Sequence, residues 1–306
     1  MALLMRFLAD FVMRGRFQAT AMVGFLGILS WLLPPVSLVS LALLGLVTLR
    51  QGGRAGAEVA ILATLGLALV ALTGDLWKPA LGVVLLGWLP IWLLGLWLRT
   101  GGSLGLAVHG TLLMTVGLWL GFLIWTGGET TWLAEQLEPL RQALVMSERL
   151  GEEDSRWVVG QMLLWLPGMM AGAFFLQLTL SLFLARSLQA LLYNPGGFQE
   201  EFVNLRATPW MSGVYLPLAL LSLGLGADAP DWVRALWLLT VPLFLMAGLA
   251  MLHYLVSRAR LHAAWLVVIY GLLMTVPLPT LMIVSGVGLA DSWVNFRGRI
   301  DAKRPS

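Results

Sequence analysis

Cysteine is absent from the 306 residues, which excludes disulfides, thiolate metal sites and cysteine nucleophiles together. Charge is scarce as well: Asp, Glu, Lys and Arg make up 11% of the chain, against about 25% in an average soluble domain. Histidine occurs three times. There is no His-Glu-x-x-His, no phosphate-binding Gly-x-x-x-x-Gly-Lys and no pair of aspartates inside an apolar run. No catalytic residue, metal ligand set or cofactor is therefore expected. An enzyme of familiar mechanism is disfavoured, and any ATP-driven step needs a partner protein.

What fills the chain instead is apolar sequence. Hydrophobic residues make up 59% and the mean hydropathy is +0.85. Nine apolar stretches run over 17–33, 36–49, 57–73, 79–98, 104–125, 157–185, 211–226, 232–256 and 264–290. The longer ones reach the roughly 20 residues an α-helix needs to cross the hydrocarbon core. A soluble helix keeps one polar face, and these do not. The expectation is an all-α, polytopic transmembrane bundle forming one integral membrane domain over 1–306. About nine crossings are expected, with eight and ten left open. Pro34-Pro35 ends the first run. Pro277 and Pro279 are placed to split the last run into two short halves.

Basic residues near the ends of spans set orientation. Arg50, Arg54, Arg99, Arg186, Arg206, Arg258 and Arg260 fall on one side of a nine-span chain. Asp75 with Lys78, the segment 126–156, and Asp228, Asp231 and Arg234 fall on the other. This predicts a cytoplasmic N-terminus, with basic residues that serve topology rather than nucleic acid. Nine crossings leave Arg297, Arg299, Lys303 and Arg304 outside, against the rule. The segment 126–156 carries Glu129, Glu135, Glu138, Glu148, Glu152, Glu153 and Asp154 against Arg141, Arg149 and Arg156. Leu133, Leu137, Leu140 and Leu144 repeat there at helical spacing, which predicts an amphipathic outer helix or a lid.

Polar residues inside the runs are few, and each needs a partner or a wet cavity. Gln177 is the deepest, with Ser181 one turn later on the same face. His109 and His253 lie within spans, and Tyr270 lies within the last run. Gln177, Ser181, His109 and Tyr270 are the candidate ligand cavity; helix–helix hydrogen bonding is the alternative role for Gln177. Gly117-x-x-x-Gly121 and Gly168-x-x-x-Gly172 match the close-packing spacing of membrane helices. Tyr193-Asn194-Pro195-Gly196-Gly197-Phe198 is a strong chain breaker. Within the connection 186–210, Phe198, Phe202 and Leu205 then form an apolar stripe, with Gln199, Glu200, Glu201, Asn204 and Arg206 facing away. The stretch Tyr193–Phe202, with Glu200 and Glu201, is the candidate docking surface for a cytoplasmic or membrane partner.

The stretch Ala190–Phe202 resembles a segment of the YybS-like bacterial membrane proteins, a family of unknown function. The tail Gly288-Leu-Ala-Asp-Ser-Trp-Val-Asn-Phe-Arg297, the start Met13–Thr20 and the stretch Leu46–Gly52 are similar to it too. The resemblance implies an integral inner-membrane protein. Its architecture is likened to the substrate-binding subunits of energy-coupling-factor transporters, which bind a small-molecule solute and recruit a scaffold with ATPases. Ala19, Ala21, Gly24 and Gly27 match the docking face of those subunits only approximately. Two functions follow as expectations: a solute-binding or transport-related protein without its own ATPase, or a scaffold acting through protein contacts. The bilayer is a partner in both.

Overall fold

The computed structural model describes residues 2–127, 129–147, 150–258 and 262–302. Glu148, Arg149, Arg260, Lys303 and Arg304, which entered the charge reading, lie outside the described residues. The described chain is all-helical, with 87% helix and no strand. In order the helices are α1 (Ala2–Met13), α2 (Arg16–Leu29), α3 (Val36–Gln51), α4 (Gly53–Ala71), α5 (Trp77–Gly82) and α6 (Leu89–Arg99). A π-helical segment, Val83–Trp88, joins α5 to α6. Then come α7 (Leu104–Thr126), α8 (Glu129–Met146), α9 (Glu152–Tyr193), α10 (Gly197–Val203) and α11 (Pro209–Leu225). The chain closes with α12 (Asp231–Ser257), α13 (Ala264–Thr275), α14 (Pro277–Val294) and α15 (Phe296–Ala302).

Among the described residues, six helices are long and apolar enough to cross a membrane: Gly53–Ala71, Trp77–Arg99, Leu104–Thr126, Glu152–Tyr193, Pro209–Asp228 and Asp231–Ser257. The architecture is that of a multi-pass membrane protein. The expected count of nine is not reached by this criterion. The runs at 17–33 and 36–49 and the first half of 264–290 form apolar helices of only 14, 16 and 12 residues. The last run breaks where its prolines stand: Val276 leaves helical geometry and Pro277 opens α14. A helix at Ala2–Met13 precedes the first apolar run, an element that hydropathy alone does not reveal.

The chain divides into two compact units. The first comprises residues 1–111 and 176–205. At its centre is α3, buried along every residue from Ser40 to Leu49 and packed against α2, α4 and α6. A helix apolar all round belongs in such a position. Gly45 brings α3 close to α9, where an added Cβ would stand 2.9 Å from that of Ala185.

The second unit comprises residues 112–175 and 206–306. Its tightest pair is α12 with α14, where Gly248 faces the Val284 carbonyl and Gly288 faces the Phe244 carbonyl with no space for a side chain. Gly168 and Gly172 of α9 lie against Ala235, Leu238 and Pro242 of α12. Of the two small-residue motifs, this one packs; among the described residues a Cβ added at Gly117 or Gly121 would meet nothing within 4 Å. The acidic segment folds as a hairpin of α8 onto the start of α9, with Leu133, Leu137 and Val159 buried together. Helix α9 is 42 residues long, about 63 Å at 1.5 Å per residue.

Candidate functional site

An apolar groove of about 390 Å³ opens in the first unit between α4 and the π-helical segment with α6. Small residues of α4 (Ala57, Ala60, Thr64) form one wall, and Trp88, Leu89 and Trp92 form the other. The π-helical turn shapes that wall: the Leu89 N–H bonds back to the Val84 carbonyl, one residue further than an α-helix allows. Trp88 is then fixed from behind. It is fully buried, and its indole N–H donates to Ser40 Oγ at 3.1 Å. Ser40 in turn donates to the Val23 carbonyl at 2.8 Å. Gly27 leaves the space that the indole occupies, since a Cβ there would meet Trp88 at 2.6 Å. The Trp92 indole N–H donates to the Gly53 carbonyl at 2.9 Å, which ties that end of the groove to the start of α4. Thr64 donates to the Ala60 carbonyl at 2.8 Å, so even the one hydroxyl in the lining is spent internally.

Basic residues gather at the same end. Arg16 reaches Glu58 at 2.5 Å and Arg54 reaches the same carboxylate at 3.3 Å. Arg50 lies over the Tyr193 ring, 4.0 Å from its centre. Arg99 donates to the carbonyls of Leu49 (2.7 Å) and Arg50 (3.0 Å), closing the C-terminus of α3.

The expected cavity residues stand elsewhere. Gln177 donates to Ser37 Oγ at 3.2 Å, across 140 residues of sequence. Ser181 is buried and donates to the Gln177 carbonyl at 2.7 Å. His109 Nδ1 meets the Gly105 carbonyl at 2.5 Å within α7. These three belong to the first unit. Tyr270 belongs to the second, where its hydroxyl lies 2.9 Å from His253 Nε2. None of the four lines the groove.

The expected docking stretch keeps its turn and changes its faces. Gly196 takes a left-handed φ of 89°, and α10 follows. Phe198 and Phe202 pack on Phe183 with ring centres 6.0 and 5.7 Å apart. Tyr193, Asn194, Pro195 and Glu200 are exposed, and Gly197 is half-buried. Glu201 does not face away from this stripe, because Arg186 of α9 holds it through Nε at 3.0 Å and through a second contact from Nη2. Arg206 is held within the second unit: it donates to the carbonyls of Asp291 and Ser292, both at 3.0 Å, at the end of α14.

Three features escaped the reading of apolar runs. Arg234, expected in a polar loop, is 1% exposed. It donates to the carbonyls of Gly226 (3.0 Å), Ala227 (3.3 Å) and Ala229 (3.1 Å) beyond α11, and meets Asp231 at 3.1 Å. Asp291 is 1% exposed and sits between Arg297 (3.3 Å) and Arg206 (3.9 Å). Its other oxygen accepts the Phe296 N–H at 3.1 Å, so one carboxylate holds the turn into α15 and two arginines together. Finally, Gly101-Gly102-Ser103-Leu104-Gly105 spells Gly-x-Ser-x-Gly. In place of the strand-to-helix elbow which that motif needs, Ser103 accepts the Leu106 N–H at 3.2 Å as the cap of α7.

Outside the spans, Glu138 on α8 is the carboxylate most changed by its surroundings. Hydrogen bonds from Arg141, at 2.7 and 2.8 Å, and then from Gln142 hold its pKa down to about 2. Among the described residues no group of three His, Asp or Glu side chains is placed to hold a metal ion. Compared with protein-family models, with curated proteins and with solved structures, the chain matches none.

Proposed function

We propose that this protein is a solute-binding, transport-related component of a bacterial inner membrane, with a cytoplasmic N-terminus and no ATPase of its own. We place it with the YybS-like proteins on the sequence resemblance. The cargo is apolar or amphiphilic, and it binds in the groove between α4 and the π-helical segment. The observation that carries this reading is the groove itself: about 390 Å³, apolar, with one wall braced from behind by the Trp88–Ser40–Val23 chain. A cavity of that size falls within the range of small-molecule sites. In this reading Gln177, Ser181 and His109 serve helix association, since their polar atoms already have partners within the first unit.

The test is gentle extraction followed by mass spectrometry of what stays bound, for the native chain and for Ala60→Trp, which fills the groove. A small molecule or lipid retained by the native chain and lost from the variant is the expected result. The same complement from both proteins would remove the groove from the function.

A scaffold is the second reading. It is favoured by the exposure of Tyr193, Asn194, Pro195 and Glu200 at the end of α9, beside a Glu201 already occupied by Arg186. Under this reading Glu200→Lys releases a protein partner while the retained lipid is unchanged. If Glu200→Lys leaves co-purifying proteins unaltered, the docking surface is not here.

A further inference from the structure

We infer that the groove takes the acyl chain of an anionic phospholipid, and that Arg54, with Arg16, reads the headgroup. This rests on the groove being a binding site and adds the class of its occupant.

The geometry starts with helical spacing. Arg54, Ala57, Ile61 and Leu65 follow one another at three, four and four residues, so they share one face of α4. The last three line the groove, and Arg54 stands one turn beyond its end. From Ala57 to Leu65 the axial rise is about 12 Å, less than half of a hydrocarbon core about 30 Å thick. The groove starts where the apolar run 57–73 starts, so its length fits one leaflet and suits one chain, with its polar end at Arg54.

The basic residues at that end are not equivalent. Arg99 is committed to the α3 carbonyls and Arg50 to the Tyr193 ring. Arg54 touches Glu58 through Nε alone, and its side chain is 94% exposed. Arg16 meets the same carboxylate with a side chain 65% exposed. One carboxylate thus faces two guanidiniums and leaves a net positive charge at the mouth of an apolar groove. Guanidinium N–H groups suit phosphate oxygens, which they can engage in pairs. A zwitterionic headgroup such as phosphocholine carries the same phosphate but brings its own ammonium. The net positive charge at the mouth repels that ammonium, so an anionic headgroup is favoured. Glu58 holds both arginines in place and competes with the phosphate for them.

The test uses nanodiscs of phosphatidylcholine doped with phosphatidylglycerol or phosphatidylcholine that bears a photoreactive acyl chain. Crosslinks are mapped to peptides of α4 and α6, with the exposed face of α7 at Leu113 as the background. Phosphatidylglycerol is expected to label the groove above phosphatidylcholine by about fivefold for each arginine engaged, with the preference weakening as salt is raised. Arg54→Gln should remove about fivefold of that preference, Arg54→Lys should keep most of it, and Glu58→Gln should increase it. Equal labelling by the two lipids, or a preference untouched by Arg54→Gln in a protein that still melts normally, overturns the headgroup assignment and leaves the groove standing. Labelling no higher than at Leu113, and unchanged in Ala60→Trp, overturns both.

Discussion

The two units draw on one composition and use it in opposite ways. The second unit holds deeply buried charges: Arg234, Arg297 and Asp291 are almost wholly enclosed, and α12 and α14 meet backbone to backbone at Gly248 and Gly288. The first keeps Arg16 and Arg54 in the open and leaves a groove where α4 passes the π-helical segment. Burial turns an arginine into a fastener, because most of its donors must be met by carbonyls or a carboxylate when no water is at hand. Exposure leaves it available to a ligand. The enclosed arginines thus belong to the second unit, and the groove with exposed arginines at its end belongs to the first.

Four measurements would sharpen or break this contrast, and the largest effect belongs to glycine. Gly288→Leu should cost more than about 3 kcal/mol in thermal unfolding, since a side chain there meets the Phe244 carbonyl and the Gly248 nitrogen. Gly117→Ala, with nothing within 4 Å, should leave the midpoint unchanged or raise it slightly. Equal losses at both positions would erase the distinction between packed and open glycines.

Arginine comes next. Arg234→Met should destabilise by about 3 kcal/mol, because three carbonyls lose their donor in a buried place. Arg54→Gln should stay within about 0.5 kcal/mol, as expected of an exposed ion pair. If the two variants melt alike, enclosure is not what makes Arg234 structural.

A smaller effect is expected where the first unit uses a buried amide. In a double-mutant cycle Gln177→Leu and Ser37→Ala should couple by about 0.6 kcal/mol, the usual worth of a hydrogen bond between membrane helices. Zero coupling combined with loss of a retained ligand would return Gln177 to the binding site.

The smallest effect lies on the acidic hairpin. Glu138 has its carboxyl pKa lowered, so the stabilisation from its pairing with Arg141 is fully present above the ordinary carboxylate range. It fades as pH falls towards about 2. A carboxyl ¹³C titration should show a midpoint of about 2, moving back up to the ordinary range in Arg141→Gln. A wild-type midpoint already in that range would mean the pair does not persist in solution.

Much of the architecture is legible in the residues. Apolar runs became helices, Pro34-Pro35 and Pro277 mark real interruptions, and the leucine repeat of 133–144 does form a helix with Leu133 and Leu137 buried. What stayed hidden depends on contacts remote in sequence. Arg234 follows Pro230 and Asp231 and so reads as loop, yet besides the nearby carbonyls of Gly226, Ala227 and Ala229 it meets the Leu164 carbonyl of α9, 70 residues away. Arg206 and Asp291 are 85 residues apart and nothing local pairs them. The groove had one faint sign, the small residues Ala57, Ala60 and Thr64 on one face of α4. The π-helical turn opposite carries no spacing signal at all. Glycine motifs of the same spelling, 117–121 and 168–172, met different fates: among the described residues the second lies against α12, and a Cβ added at the first meets nothing within 4 Å.

The enclosure of Arg234 also bears on how the protein is made. Helix α12 carries an arginine near each end, Arg234 and Arg258. Whichever way this segment enters the bilayer, one of the two must be carried across it. A nascent chain offers Arg234 as a bare cation, which weighs on the choice of orientation; the finished protein offers it a ring of carbonyls. The same side chain therefore works against translocation if it is the one that crosses and in favour of the fold once there. Replacing it would ease the earlier step while weakening the later one, so yield in the membrane and resistance to heat should part company in that variant.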